Sequence, residues 1–141
     1  GSKYDKHYDN NGPGDLRKLT MLLYLQSGWE QSQGGCFRMF TNGATLDNSN
    51  NAPGVVAGMD EDGHTFVDIA PIGGRLLAFW SDTMIHSVTE FSATSENPHR
   101  WAFTVWFNAE DQDAIRFEKD VVARHWPEFE GNPELHRQLV G

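Results

Sequence analysis

Cysteine is almost missing from this chain: Cys36 stands alone, so no disulfide can form within it, and a reducing compartment is the default expectation. Also absent is any apolar run near the roughly 20 residues that a bilayer-spanning helix needs. No secretory apolar region is visible. Basic residues are few. Eleven Lys and Arg stand against twenty Asp and Glu, a formal net charge of −9. Nucleic-acid affinity is driven by Lys and Arg, so a phosphate-backbone partner is not expected. Neither nucleic acid nor a membrane is therefore expected as a partner, and a cytoplasmic or nuclear location is. A neutral or basic peptide, or a small anion in a local basic pocket, is compatible with that charge. Helical crossovers between strands are lacking too, which weighs against a doubly wound α/β fold.

What is present is a packed, strand-rich pattern. The 141 residues suit one domain with one core, and nine Phe, five Trp and three Tyr are enough to fill it. Short apolar or alternating segments, each bounded by Gly, Pro, Asn or Asp, predict strands near 4–8, 19–25, 35–40, 65–69, 75–80, 86–91 and 100–107. Seven short strands argue for a β-sandwich or barrel. Residues 41–63 break the rhythm: they are rich in Asn, Gly and Ala, and a connection longer than roughly 12–15 residues reads as a lid or binding loop. Asp60-Glu61-Asp62-Gly63 within it invites calcium, but aligning an EF-hand on its Gly puts Ile69 at the twelfth position, so calcium is rejected. From Asn108 the period changes. Asn108 reads as an N-cap, followed by Glu110, Asp111 and Asp113, and Ile115, Phe117, Val121, Val122 and Trp126 make a stripe at helical spacing that Pro127 stops. Residues 133–140 suggest a second short helix.

Two groups of residues could carry chemistry. The first is His7-Tyr8-Asp9, read with His86 in Ile85-His86-Ser87-Val88. Two imidazoles and one carboxylate can take one face of an octahedral Fe(II), leaving the opposite positions open. A spacing of i and i+2 on a strand sends both side chains to the same side. The bare His-x-Asp pattern is short and arises often by chance. The second group is Arg100 with Tyr24. Alternation from Arg100 along the expected last strand puts Ala102, Thr104 and Trp106 on its face. A guanidinium entering an otherwise apolar strand is costly without a carboxylate, which its paired N–H donors suit. The Tyr24 hydroxyl, set in Met21-Leu22-Leu23-Tyr24-Leu25, also wants a buried partner. One dicarboxylate would explain both. His64, His99, His125 and His136 are expected to face solvent, and Cys36 to be a small buried apolar residue.

The order of these segments resembles a known family. His7-Tyr8-Asp9-Asn10, 20–25, Gly34-Gly35-Cys36-Phe37-Arg38-Met39-Phe40, Val67-Asp68-Ile69-Ala70-Pro71, 75–82, Ile85-His86-Ser87-Val88 and 100–106 occur in the sequence seen in 2-oxoglutarate- and Fe(II)-dependent prolyl hydroxylases, most like the hypoxia-sensing branch. The resemblance covers roughly residues 4–107, interrupted by 41–63. It implies a mainly β fold, the double-stranded β-helix (a distorted, cupin-like jelly roll), with a C-terminal helix over the tail 108–141. It implies His7, Asp9 and His86 as Fe(II) ligands and Arg100 as the residue binding the distal carboxylate of 2-oxoglutarate, helped by Tyr24. Thr104 and Phe37 would line the same pocket, and Trp106 and Tyr4 would flank the iron and the substrate mouth. The implied activity is hydroxylation of a prolyl residue in a peptide or protein, with O2 as co-substrate and 2-oxoglutarate decarboxylated to succinate and CO2. Ascorbate is the accessory reductant the resemblance suggests.

Two departures accompany it. The family has eight core strands and only seven are placed here, the first, ahead of Tyr4, being absent. Gly1-Ser2 looks like a cloning scar, so more sequence is expected upstream, and a partner segment or second chain would complete the sheet edge. The loop 91–99 is also longer than in relatives. The domain expected is single, over 3–141. Three rival readings stay open: the same chemistry on another residue or a small molecule, a non-catalytic double-stranded β-helix binding metal or peptide, and an unrelated cupin-like binder.

Overall fold

The computed structural model describes residues 1–12, 14–41, 52–96 and 98–116. It is mainly β. Eight strands follow in order: β1 Ser2–His7, β2 Arg17–Tyr24, β3 Phe37–Phe40, β4 Val55–Met59, β5 Thr65–Ile69, β6 Leu76–Trp80, β7 His86–Phe91 and β8 Ala102–Asn108. Five form one sheet in the order β1-β7-β3-β5-β4, and three form another in the order β6-β2-β8. Pairing through the five-stranded sheet is antiparallel. No helix among the described residues is long and apolar enough to cross a membrane.

By contact the chain divides into two compact units, and they are built differently. Residues 1–7, 22–76 and 85–103 hold most of the apolar core, with Tyr24, Phe37, Phe40, Val67, Ala70 and Phe91 buried. In the remainder, Phe79 and Ile115 are buried, but so are the polar Asn10, Thr20, Ser81 and Asp82. Hydrogen bonds hold these polar groups in place. The Asn10 side chain donates to Asp15 O and Arg17 O at 2.8 Å each and accepts from Gly12 N at 2.9 Å, closing the 10–17 turn around one residue. Asp82 accepts from Lys18 Nζ at 2.7 Å and from Arg116 N at 2.8 Å.

The sequence pattern is corrected in three places. The 41–63 stretch contains a strand. β4 pairs with β5 in a hairpin, with Gly58 opposite Phe66. A Cβ at Gly58 would come within 2.6 Å of the Phe66 ring, so the residue that makes the segment look unlike a strand is what lets the aromatic ring lie across it. Asp60 closes this hairpin: its Oδ1 accepts from Asp62 N at 3.1 Å and from His64 N at 2.8 Å, and Gly63 takes a φ of +82°. The acidic run is turn chemistry. His64 is exposed, as expected, and its Nδ1 lies 3.3 Å from Asp60 Oδ2, an oxygen that also accepts from Lys6 Nζ at 3.3 Å.

Arg100 does not open the last strand; β8 begins two residues later, at Ala102. Nor does a helix begin at Asn108, which is the last residue of β8, and the ladder is followed by Ala109 N donating to Leu16 O at 2.7 Å. The next turn is a three-residue 3-10 segment, Gln112–Ala114, capped by the Asp111 side chain. Ile115 then returns to extended backbone at φ −85°, ψ 126° and is buried, so it anchors the chain without joining a helical stripe. The rest of the expected helical tail, and residues 42–51 of the insertion, lie outside the described residues.

Candidate functional site

Antiparallel pairing of β1 with β7 makes His7 and His86 cross-strand partners. Their rings stand 4.3 Å apart between centroids, tilted at 56°. His86 is 3% exposed and lies flat on Phe37, centroid to centroid 4.8 Å at an interplanar angle of 18°. Phe37 sits opposite Val88 on β3, so the stack follows from sheet register. His7 is oriented differently. Its Nδ1 is 2.7 Å from the Asp5 carbonyl. A carbonyl only accepts, so Nδ1 donates to it, and in the neutral ring the lone pair lies on Nε2.

Asp9 follows His7 by two residues. Its Oδ2 accepts from Thr20 Oγ1 at 2.6 Å and from Trp106 Nε1 at 3.2 Å. Thr20 Oγ1 is in turn 2.8 Å from Ser81 Oγ. His7, Asp9 and His86 can each offer one ligand atom, and the three atoms lie within 4.8 Å of one another. Two imidazoles and a carboxylate in that reach suit a divalent transition metal such as Fe(II).

A second grouping of the same kind, Asp60 with Asp62 and His64, already has the Lys6 ammonium on it.

The Arg100–Tyr24 pair also forms. Tyr24 is fully buried, and its hydroxyl accepts from Arg100 Nη2 at 3.2 Å. Arg100 Nε donates to Gly35 O at 2.8 Å, and its guanidinium carbon stands 5.0 Å from the Tyr24 ring centroid. Gly35 holds φ at +69°, and a Cβ there would meet Arg100 Cδ and the Phe91 ring at 3.0 Å each. Among the described residues the guanidinium thus meets neutral oxygens. Burial pushes the Tyr24 phenol up, against the opposing pull of Arg100, so it remains protonated at neutral pH and can donate a hydrogen bond. Beside Arg100 lies a cavity of about 350 Å³ to which Tyr4, Val88, Phe91, His99 and Trp101 contribute.

The structure therefore brings His7, Asp9 and His86 together, pairs Arg100 with Tyr24, and draws Phe37 in through His86 and Trp106 through Asp9. Tyr4, 5.7 Å from the His7 ring, shares the cavity with Arg100. Thr104 is half-buried on β8. Cys36 is half-buried, and burial, with the Asp68 carboxylate adding to it, pushes its thiol up. Sequence reasoning missed Thr20, Ser81 and Val88 as parts of this region. Val88 had a signal, since it stands two residues along β7 from His86. The hydroxyls had none, because a Ser or Thr acquires its role from partners distant in sequence.

Comparison with known proteins agrees with this chemistry. A family model described as the 2OG-Fe(II) oxygenase superfamily matches residues 1–108. The chain is similar to the human prolyl hydroxylase EGLN3, 34% identical over 115 residues, covering 79% of this chain and 38% of that protein. It is equally similar to the human Egl nine homolog 1, 34% identical over 116 residues, 81% of this chain and 21% of that protein. Among solved structures it resembles a Trichoplax adhaerens prolyl hydroxylase in complex with a hypoxia inducible factor oxygen degradation domain peptide fragment. The TM-score is 0.54 at 30% identity, covering 77% of this chain and 38% of that one. A Pseudomonas putida prolyl-4-hydroxylase gives 0.55 at 25% identity, over 78% and 47% of the two chains. The chain spans well under half the length of these curated relatives. It belongs to the 2OG-Fe(II) oxygenase superfamily.

Proposed function

We propose that this chain is a dioxygenase dependent on Fe(II) and 2-oxoglutarate that hydroxylates a prolyl residue in a peptide or protein, forming succinate and CO2 from the co-substrate. The observation that carries the reading is the grouping of His7, Asp9 and His86, whose ligand atoms lie within 4.8 Å of one another, in a chain that also holds a half-buried arginine on neutral oxygens. Bound Fe(II) would supply the O2 activation that no side chain can provide.

The chain's own part is binding and orientation. His7, Asp9 and His86 would hold the metal, with the Asp5 carbonyl fixing His7 and the Phe37 ring fixing His86. Arg100 and the protonated Tyr24 hydroxyl would take the distal carboxylate of 2-oxoglutarate. Phe37 would wall the pocket, and Trp106 and Tyr4 would border the substrate mouth; Thr104 is assigned to the pocket by family resemblance. A prolyl substrate is supported by the prolyl hydroxylases among the relatives. The fold proposed is the double-stranded β-helix, with a further strand from another segment or chain adding to the three-stranded sheet, and the location proposed is cytoplasmic or nuclear.

The test uses the full chain with Fe(II), ascorbate, 2-oxoglutarate and a set of proline-containing peptides. Succinate formed in step with a one-oxygen mass gain on proline is the expected result. An oxygen found on another residue would move the substrate but keep the chemistry. Bound metal with no turnover of 2-oxoglutarate would overturn the enzymatic reading in favour of a binding domain.

A further inference from the structure

We propose that Ser81 and Thr20 form a one-directional hydrogen-bond relay whose task is to hold Asp9 in place for the metal; the inference rests on the reading of His7, Asp9 and His86 as a metal site. Thr20 Oγ1 lies 2.6 Å from Asp9 Oδ2 and 2.8 Å from Ser81 Oγ. Proton counting fixes the direction. An ionised carboxylate only accepts, so the single hydroxyl proton of Thr20 is committed to Asp9. The contact to Ser81 then has one solution: Ser81 donates and Thr20 accepts. A chain of donors aimed one way polarises each member in the same sense, which strengthens the terminal bond to the carboxylate.

The relay is built rather than incidental. Thr20 is 1% exposed and Ser81 is 0% exposed, so water does not substitute for either hydroxyl. Ser81 is also pinned by its backbone, its N donating to Lys18 O at 2.9 Å and its O accepting from Asn10 N at 3.0 Å. Asn10 is the residue after Asp9, and Lys18 stands two before Thr20 on β2. Ser81 therefore grips the residue next to Asp9 through its main chain and Asp9 itself, by way of Thr20, through its side chain. Trp106 Nε1 gives Oδ2 a second donor, at the longer distance of 3.2 Å and with the indole 46% exposed. Thr20 is the firmer of the two holds. Neither hydroxyl is placed against substrate; both act through Asp9 and are positioning residues.

The experiment measures Mn(II) dissociation constants, the absorption spectrum of the Co(II) form, and the melting temperature of the metal-free full chain. Thr20→Val, which keeps the shape and removes the hydroxyl, is expected to weaken Mn(II) binding roughly 10- to 100-fold, the range for losing a partner of a metal ligand. Thr20→Ser restores the donor and is expected to bind within about 3-fold of the parent, whereas Ser81→Ala loses roughly 3- to 10-fold, staying below the effect of direct removal. Because Ser81 acts through Thr20, adding Ser81→Ala to Thr20→Val should cause no further loss. The Co(II) spectrum should change in Thr20→Val and not in Thr20→Ser. Unchanged Mn(II) affinity in Thr20→Val, or losses that multiply in the double variant, overturns the relay. A lower melting temperature with metal affinity intact does so too, because that is what a merely structural pair would give. Should Thr20→Val not fold, Ser81→Ala decides alone, and parent-like affinity in it overturns the proposal. Asp9→Ala separates the two ideas: if it binds metal like the parent the site itself is wrong, and if it loses metal while Thr20→Val does not, only the relay fails.

Discussion

The surroundings of His7 and His86 and those of Asp9 hold their side chains by opposite means. Around His7 and His86 the tools include strand register, an aromatic stack and a main-chain carbonyl. Around Asp9 they are buried hydroxyls, an indole N–H and the Asn10 turn. The difference follows from the side chains. An imidazole is a flat ring with a large face, so packing against Phe37 fixes its plane and costs no polar desolvation. A carboxylate is small, rotates freely and loses hydration on burial, so only hydrogen bonds can both fix and stabilise it.

That contrast can be broken at its strongest point first. Removing a member of the trio, as in His86→Ala or Asp9→Ala, should abolish metal-dependent succinate formation and metal binding together, which calorimetry reads directly. Activity surviving in either would place the metal elsewhere. Next in size, Arg100→Ala should weaken 2-oxoglutarate roughly 100-fold, about 3 kcal/mol, by deleting a charged partner from a part-buried setting. Tyr24→Phe should lose only about 10-fold, the share of one hydrogen bond. Equal effects at the two positions would show that the carboxylate contact is not carried by the guanidinium.

Smaller still is Phe37→Leu, which keeps the pocket apolar but removes the ring beneath His86. It should cost less than about 1.5 kcal/mol of stability and a few-fold in metal affinity, by calorimetry and thermal melts. If the stack on Phe37 helps to orient His86, this loss should exceed the effect of Phe40→Leu, a ring in the same strand.

The mildest prediction concerns acid. Burial tends to raise the Asp15 carboxyl, but the Arg17 side chain and the Arg17 and Asn11 N–H groups together outweigh it and hold the group below its usual value. Its folded pKa is depressed, so its contribution is present above the unfolded value of about 3.9 and fades as pH falls through the folded value. Acid melts of Asp15→Asn should therefore be flatter below about pH 4 than those of the parent.

Much of this arrangement was legible in the residues. β5 and β7 have the expected bounds because Thr65-Phe66-Val67-Asp68-Ile69 and His86-Ser87-Val88-Thr89-Glu90-Phe91 are rich in β-branched and aromatic residues and stop at turn formers. The trio was legible because two of its members are neighbours in the chain. β4 was not, since Gly58 is a poor strand residue by propensity and becomes a good one only when the Phe66 ring lies over it. The helix expected at Asn108 failed for a related reason. Capping preference is local, and continuation of β8 followed by the Ala109–Leu16 hydrogen bond overrode it.

The pairing of β1 with β7 shifts register between Ser2 and Tyr4 and again between Tyr4 and His7. Such irregularities turn a strand's carbonyls out of the ladder and re-aim its side chains. The carbonyl that accepts from the His7 imidazole, Asp5 O, falls in that uneven stretch. As an edge strand β1 leaves alternate carbonyls unpaired in any register, and the shifts bear on which of them faces the imidazole, so the fault in the weave is also the fastening. Straightening the strand by deleting one residue between Tyr4 and His7 should leave the sheet paired and the imidazole aimed at nothing.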